Sequence, residues 1–186
     1  MRVISGFFKG KKILQPKDLQ TRPLKDLAKE SIFNIIKHSN KFKINLEKAI
    51  ILDLFSGVGS FGIECLSLGV KKVVFVENYK KVLPILKKNL ANLKCNTNFN
   101  IIEKDIINSN LFSSLNEKYD LVFLDPPYKE KVINTILIKI VEGKILNKNS
   151  IIIIHRHKSK IDNLSSDFKI IEEKTYGVSK ILFLNQ

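Results

Sequence analysis

Between residues 49 and 155, five short apolar runs recur, each about the length of a strand and most followed by a stretch with helical spacing. That alternation leaves few layouts open. The runs cover residues 49–55, 72–77, 99–104, 119–124 and 150–155. They are nearly continuous in Val, Ile, Leu and Phe, as strands covered on both faces are. Segments 60–68, 79–93 and 131–146 read as helices, and 106–117 reads as a loop with at most one short helix. Repeated βα units of this kind predict an α/β fold with a doubly wound, mostly parallel sheet. Residues 168–175 and 178–184 flank Tyr176-Gly177 and predict a closing antiparallel pair.

Two strand ends carry the chemistry. The fourth run stops at Asp125-Pro126-Pro127-Tyr128. The prolines end ladder donation, and the residue before a proline is held extended. Asp125 is therefore fixed at the carboxyl end of a strand, where open α/β sheets bind their ligands. A carboxylate, the Pro126 carbonyl and the Tyr128 ring together suit a flat base with an exocyclic amine: two acceptors for its N–H groups and one face to stack on.

The first run ends at Asp53 and passes into Ser56-Gly57-Val58-Gly59-Ser60-Phe61-Gly62, with Glu77 twenty residues beyond Gly57. Read literally, this is a dinucleotide fingerprint. Electrostatics favours another cofactor. A pyrophosphate at this helix start disfavours a neighbouring carboxylate such as Asp53. S-adenosylmethionine has no phosphate and carries an ammonium and a sulfonium, which a carboxylate suits. Glu77 can take ribose hydroxyls in either case. Asp105, closing the third run, can accept from an adenine amine or stand as a solvated strand end.

The 186 residues suggest one domain with a small extension. The apolar fraction of 44% supports one core, and no run reaches membrane length. Cys65 and Cys95 form no C-x-x-C and read as free thiols of a cytoplasmic protein, and three scattered histidines predict no metal site. Net charge is +14, although Arg supplies only three of the 32 basic residues, so part of the excess is compositional. Residues 1–25 hold seven basic side chains (Arg2, Lys9, Lys11, Lys12, Lys17, Arg22, Lys25) against Asp18, a density that points to nucleic acid. Within this segment, Val3-Ile4 and Ile13-Leu14 flank a Lys-Gly-Lys-Lys turn and predict a β-hairpin. Thr21-Arg22-Pro23 opens a helix that runs to about Lys37. The expected division is an extension over 1–40 and a catalytic domain over 41–186.

The combination of Asp53 to Gly62, Phe75-Val76-Glu77, Asp105 and Asp125-Pro126-Pro127-Tyr128 resembles S-adenosylmethionine-dependent amino methyltransferases. Arg2-Val3-Ile4-Ser5-Gly6, Lys9-Gly10-Lys11-Lys12, Thr21-Arg22-Pro23 and Lys29-Glu30-Ser31-Ile32-Phe33-Asn34 narrow the resemblance to the bacterial 16S ribosomal RNA guanine-N2 methyltransferase family. It covers most of residues 2–128. It implies a Rossmann-like seven-stranded methyltransferase sheet with an N-terminal hairpin and helix extension. It implies methyl transfer from S-adenosylmethionine to a guanine N2 in small-subunit ribosomal RNA, within an assembled or assembling subunit, by a cytoplasmic monomer. Asp53, Phe55, Ser56, Gly57, Gly59, Glu77, Asn78, Asp105 and Ile106 would then form the cofactor site. Asp125, Pro126, Pro127 and Tyr128 would be catalytic, and Arg2, Lys9, Lys11, Lys12 and Arg22 would contact RNA. Phe61 stands where the family has a smaller apolar residue, and Tyr79 where an acid often follows the ribose-binding glutamate. The rival readings are a DNA adenine-N6 or other nucleic-acid amino methyltransferase, an inactive RNA-binding relative, and a nicotinamide oxidoreductase.

Overall fold

The computed structural model describes residues 1–16, 24, 26–94, 98–127, 132–160 and 164–186. Among these residues the strands are β1 (Ile50–Leu54), β2 (Lys72–Val76), β3 (Phe99–Ile102), β4 (Tyr119–Leu124), β5 (Leu146–His157), β6 (Lys169–Tyr176) and β7 (Ser179–Asn185). They form one sheet in the order β3-β2-β1-β4-β5-β7-β6. The first five pair in parallel, and β7 lies antiparallel between β5 and β6. This is the mixed, seven-stranded Rossmann-like sheet expected from the sequence.

Strand residues alternate between the two faces. One face carries Ile51, Phe75, Leu121, Phe123, Ile153 and Phe183, and it is covered by α1 (Asp26–His38), α2 (Ser60–Ser67) and α3 (Leu83–Ala91). The other carries Leu54, Val76, Val122, Leu124, Ile152 and Leu184, covered by α4 (Leu111–Ser114) and α5 (Ile133–Glu142). Phe61 of α2 is 2% exposed and lies between two rings. Its centroid is 3.9 Å from Phe123 on β4 and 5.3 Å from Phe33 on α1, with both pairs stacked. The large residue at this position thus joins the N-terminal helix to the centre of the sheet.

The N-terminal segment is held by a buried charge. Glu64 and Lys29 are each fully buried and pair at 3.1 Å. Glu64 also accepts from the amides of Ile4 (2.9 Å) and Ser5 (2.7 Å) and from the Ser5 hydroxyl (2.8 Å). Lys29 donates to the Arg2 carbonyl at 3.1 Å. Buried ions persist only when paired and hydrogen-bonded, and this pair is both.

The hairpin expected over 1–14 is present as an antiparallel bridge of Arg2 with Lys12, flanked by the Val3 amide donating to Lys11 (2.9 Å), Gly10 to Val3 (2.9 Å) and Ile13 to Met1 (3.0 Å), while the Ile4 and Ser5 amides turn to Glu64. Three boundaries differ from expectation. The helix expected to start at Tyr79 starts at Leu83, with Pro84 in its first turn, where the missing N–H costs nothing. The helix expected to reach Leu146 ends at Glu142, since Lys144 turns left-handed (φ 49°). Leu146 instead opens β5, four residues before the expected strand start. Its polar beginning is tied down by Asn147 donating to Asp120 at 2.8 Å. Thr21, Arg22, Pro23, Cys95 and Tyr128 lie outside the described residues; Cys65 is a buried free thiol. No helix among the described residues is long and apolar enough to cross a membrane.

Candidate active site

Neighbouring strands β1 and β4 lead to connections on different sides of the sheet, so a crevice opens outside their carboxyl ends. Asp53 pairs in register with Phe123, and the Asp125 amide follows, 3.4 Å from the Leu54 carbonyl. By the two-residue period, Asp53 and Asp125 share the sheet face covered by α1 to α3.

Asp53 is 1% exposed, and its Oδ2 accepts from the Gly62 amide at 3.0 Å. Burial above all pushes its carboxyl well above the usual carboxylate range; the Gly62 amide opposes this, and the charges of Asp125 and Glu77 add to it. Gly62 permits this contact. A Cβ there would stand 2.2 Å from the Phe75 ring and 2.9 Å from Asp53 Oδ2.

The loop after β1 is held from beneath. Phe55 adopts φ 58°, in the left-handed region, where a non-glycine residue costs about 1–3 kcal/mol. Ser56 donates its hydroxyl to the Asp53 carbonyl at 2.6 Å and accepts from the Val76 amide at 3.0 Å. That side chain therefore ties β1 to β2, and the Ser56 backbone is engaged as well, its amide donating to the Val76 carbonyl (3.1 Å) and its carbonyl accepting from the Gly59 amide (2.8 Å). Gly57 also has a left-handed backbone (φ 55°), and a Cβ there would find nothing closer than 4.0 Å. Such an open cradle admits a ligand against the backbone. Gly59, at the entrance to α2, packs under Leu86 of α3.

Glu77 is buried at the end of β2. One oxygen accepts from the Gly57 amide (2.7 Å), and the other from the amides of Asn78 (2.9 Å) and Tyr79 (2.8 Å). Asp105, past β3, accepts from the amides of Ile107 (2.8 Å) and Asn108 (2.6 Å) and from the Asn78 side chain (3.1 Å). Ile106 beside it is buried. The expected cofactor residues therefore converge on the ends of β1, β2 and β3.

Asp125 is partly exposed, with Pro126 buried and Pro127 exposed beyond it. Its Oδ1 lies 2.8 Å from His155 Nδ1, and His155 Nε2 lies 2.9 Å from the Ser179 hydroxyl. Arg156, 1% exposed, reaches the Pro127 carbonyl at 3.5 Å. None of these three was singled out from the sequence. The available signal was position: His155 closes an apolar run as Asp125 does.

The basic residues are elsewhere. Helices α2 and α3 begin near the site and run back across the sheet, so their carboxyl ends lie at its far edge. The Phe7 and Phe8 amides donate to Ser67 at the end of α2, and Lys11 donates to the Leu93 carbonyl past α3 at 2.7 Å. Arg2, Lys9 and Lys12 are exposed on this segment, with Arg2 and Lys12 directly opposite each other.

A model of the family described as Conserved hypothetical protein 95 matches residues 1–185. The chain belongs to this family. "Ribosomal RNA small subunit methyltransferase D" of Haemophilus influenzae is 31% identical over 183 residues, covering 96% of this chain and 90% of that protein. The protein of the same name in Buchnera aphidicola subsp. Baizongia pistaciae is 28% identical over 188 residues, covering 100% and 92%. The solved structure of "Putative methyltransferase yhhF" from Escherichia coli superposes with a TM-score of 0.82 at 22% identity, covering 99% of this chain and 96% of that one. The last likeness bears on the fold alone. The site fits the cofactor of such enzymes. A deeply buried carboxylate with a raised pKa is matched by a cation, and the open backbone at Gly57 leaves room for a ligand.

Proposed function

We propose that this protein transfers a methyl group from S-adenosylmethionine to the exocyclic N2 amine of a guanine in small-subunit ribosomal RNA. The family and its named relatives support ribosomal RNA methylation with this cofactor. The guanine amine rests on the resemblance and on the chemistry of Asp125. One observation carries the reading: two carboxylates, Asp53 and Asp125, stand on adjacent strand ends and one sheet face, directly before a glycine loop and a Pro-Pro turn.

Asp53, Ser56, Gly57 and Gly59 would hold the methionine part. Glu77 would take the ribose, with Asn78, Asp105 and Ile106 around the adenine. When bound, the cofactor supplies an electrophilic methyl group on its sulfonium. The chain supplies position. A guanine amine is a weak nucleophile because its lone pair is delocalised into the ring. Asp125 and the Pro126 carbonyl accept its two N–H bonds and favour the pyramidal nitrogen, whose lone pair is free. Asp53, Glu77 and the glycine loop would hold the cofactor as it gives up its methyl group and leaves as the neutral thioether, which accounts for the electron pair of the carbon–sulfur bond. The nitrogen then sheds the proton already hydrogen-bonded to Asp125. The base must leave its stack to reach this crevice, and Tyr128 would receive its face.

The basic segment would bind RNA at a distance from the reaction. Like charges held opposite each other repel, and a phosphate relieves that repulsion. Phe7, 84% exposed on the same turn, offers a surface for stacking.

The test is methyl transfer from labelled S-adenosylmethionine to small ribosomal subunits from cells lacking the protein, followed by nucleoside analysis. Label in N2-methylguanosine is expected. Label in N6-methyladenosine would keep the chemistry and change the base, and no label despite cofactor binding would favour an inactive RNA-binding relative.

A further inference from the structure

We infer that His155, backed by Ser179, is a positioning residue that orients Asp125 toward the amine. The inference rests on the amino-methyltransferase reading above and adds to it a part that the motif does not contain.

Asp125 directly follows β4, and His155 and Ser179 lie on β5 and β7; the three strands are neighbours in the sheet. Leu124 pairs with Ile154, and His157 pairs with Ser179. Phe123 and Ile153 lie in the cluster under α1 to α3, so Asp125 and His155, two residues further on, point to that same face. The distances are those of good hydrogen bonds: 2.8 Å from Asp125 Oδ1 to Nδ1, and 2.9 Å from Nε2 to the Ser179 hydroxyl.

The chemistry of the three groups sets the direction of the chain. A carboxylate oxygen accepts, so Nδ1 carries a proton and donates it to Oδ1. Nε2 bonds the Ser179 hydroxyl, which can donate to a neutral ring or accept from a charged one and holds the imidazole in place either way. His155 and Ser179 are 5% and 4% exposed, so water does not compete for these positions. Among the described residues, Asp125 Oδ2 has no hydrogen-bond partner. His155 thus engages one oxygen and turns the other toward the crevice.

Without that contact, Asp125 is an exposed-edge carboxylate free to rotate about χ2. Small losses of orientation at a reacting group cost large factors in rate. A side chain acting this way affects turnover and leaves cofactor binding alone, because Asp53, Glu77 and the glycine loop lie on β1 and β2.

The experiment compares His155→Leu, His155→Asn and Ser179→Ala with the wild-type protein, in methyl transfer to small subunits lacking the modification. It also measures S-adenosylmethionine affinity and the RNA KM. His155→Leu removes the donor; His155→Asn places an amide N–H close to the former Nδ1. The expected result is a kcat lowered about tenfold or more in His155→Leu, as for loss of a hydrogen bond to a charged group. Affinity for cofactor and the RNA KM should be unchanged, and His155→Asn should recover most of the rate. Ser179→Ala should show a smaller loss of kcat of the same kind. Full kcat in His155→Leu overturns the inference. So does a rate loss that His155→Asn does not recover, or one that comes with equal loss of cofactor affinity. If His155→Leu does not fold, a folded but inactive His155→Asn overturns it as well. Failure of the underlying reading looks different: the wild-type protein itself would then transfer no methyl group.

Discussion

At the scale of single residues, the two aspartates face opposite demands. Asp53 is buried, near Asp125 and Glu77, and its carboxyl is held well above the usual range. A cationic ligand favours its ionised form. Cofactor affinity should therefore rise as pH climbs from the ordinary carboxylate range through the raised pKa, with a proton released on binding at the lower end. Calorimetry in buffers of different ionisation enthalpy reads that proton directly, and Asp53→Asn should abolish the pH dependence. The same shift has a second sign. An acid whose pKa is raised by folding contributes stability below its unfolded pKa and loses it as pH rises through the folded value. Without ligand, Asp53→Asn should then melt higher than wild type at the upper end of that window. Asp125 stands beside the position proposed for the amine. Asp125→Ala should cut turnover by about a hundredfold or more, on the scale of losing one preorganised partner of a reacting group. Cofactor affinity should stay close to wild type, and equilibrium dialysis alongside single-turnover rates separates the two. Asp53, Gly57, Glu77 and Asp125 were legible in the sequence because each ends or follows an apolar run. His155 also closes an apolar run, but no glycine loop or proline turn follows it to mark that end as a site.

At the scale of elements, the site depends on how α1 and α2 are fixed to the sheet. Phe61 lies in a three-ring stack from Phe33 to Phe123, and Phe123 is two residues from Asp125. Phe61→Ala leaves a cavity between helix and strand and should destabilise the fold by about 3–5 kcal/mol. Denaturant unfolding with an unchanged m-value checks that figure. An apolar run gave each central strand to within a few residues. The boundaries that moved did so for local reasons invisible to periodicity. Lys144 adopts a left-handed turn without being a glycine, and β5 begins with Asn147-Lys148-Asn149, which no strand pattern would include. Asp120 explains the latter. It accepts from Asn147 on one side and from the Ile50 amide on the other, so one polar side chain stitches three strands. The hairpin was legible from its turn residues, but the anchor beneath it was not: the Ile4 and Ser5 amides serve the Glu64 carboxylate, sixty residues on from Ile4.

At the scale of the whole molecule, charge and chemistry are separated. Arg2 and Lys12 stand part-way along the segment, which returns at Leu14 to Asn89 and through it to the Val58 carbonyl of the glycine loop. The reactive strand ends lie at one edge of the sheet, and Lys9, on the turn bonded to the end of α2, lies toward the other, a helix length away. For the eight residues of α2 that is about 12 Å. Reversing Lys9 and Lys12 together should weaken RNA binding and flatten its dependence on salt, since fewer counterions are released. Transfer at saturating RNA should be nearly unaffected. Filter binding across a salt series, set beside kcat, tests both halves, and an unchanged slope would put the RNA contact elsewhere on the surface. Lys11 is left out of that pair because its ammonium already serves the Leu93 carbonyl and the Phe8 ring. The sheet order and this separation follow from topology, which a one-dimensional pattern of apolar runs contains only implicitly. The buried pair of Lys29 and Glu64 has one further effect, on the order of synthesis. Ile4 and Ser5 are made well before Glu64, yet their amides find their acceptor only when Glu64 has emerged. At about 5–20 residues per second, the basic segment around them waits several seconds, cationic and unclasped, beside the ribosome that is making it.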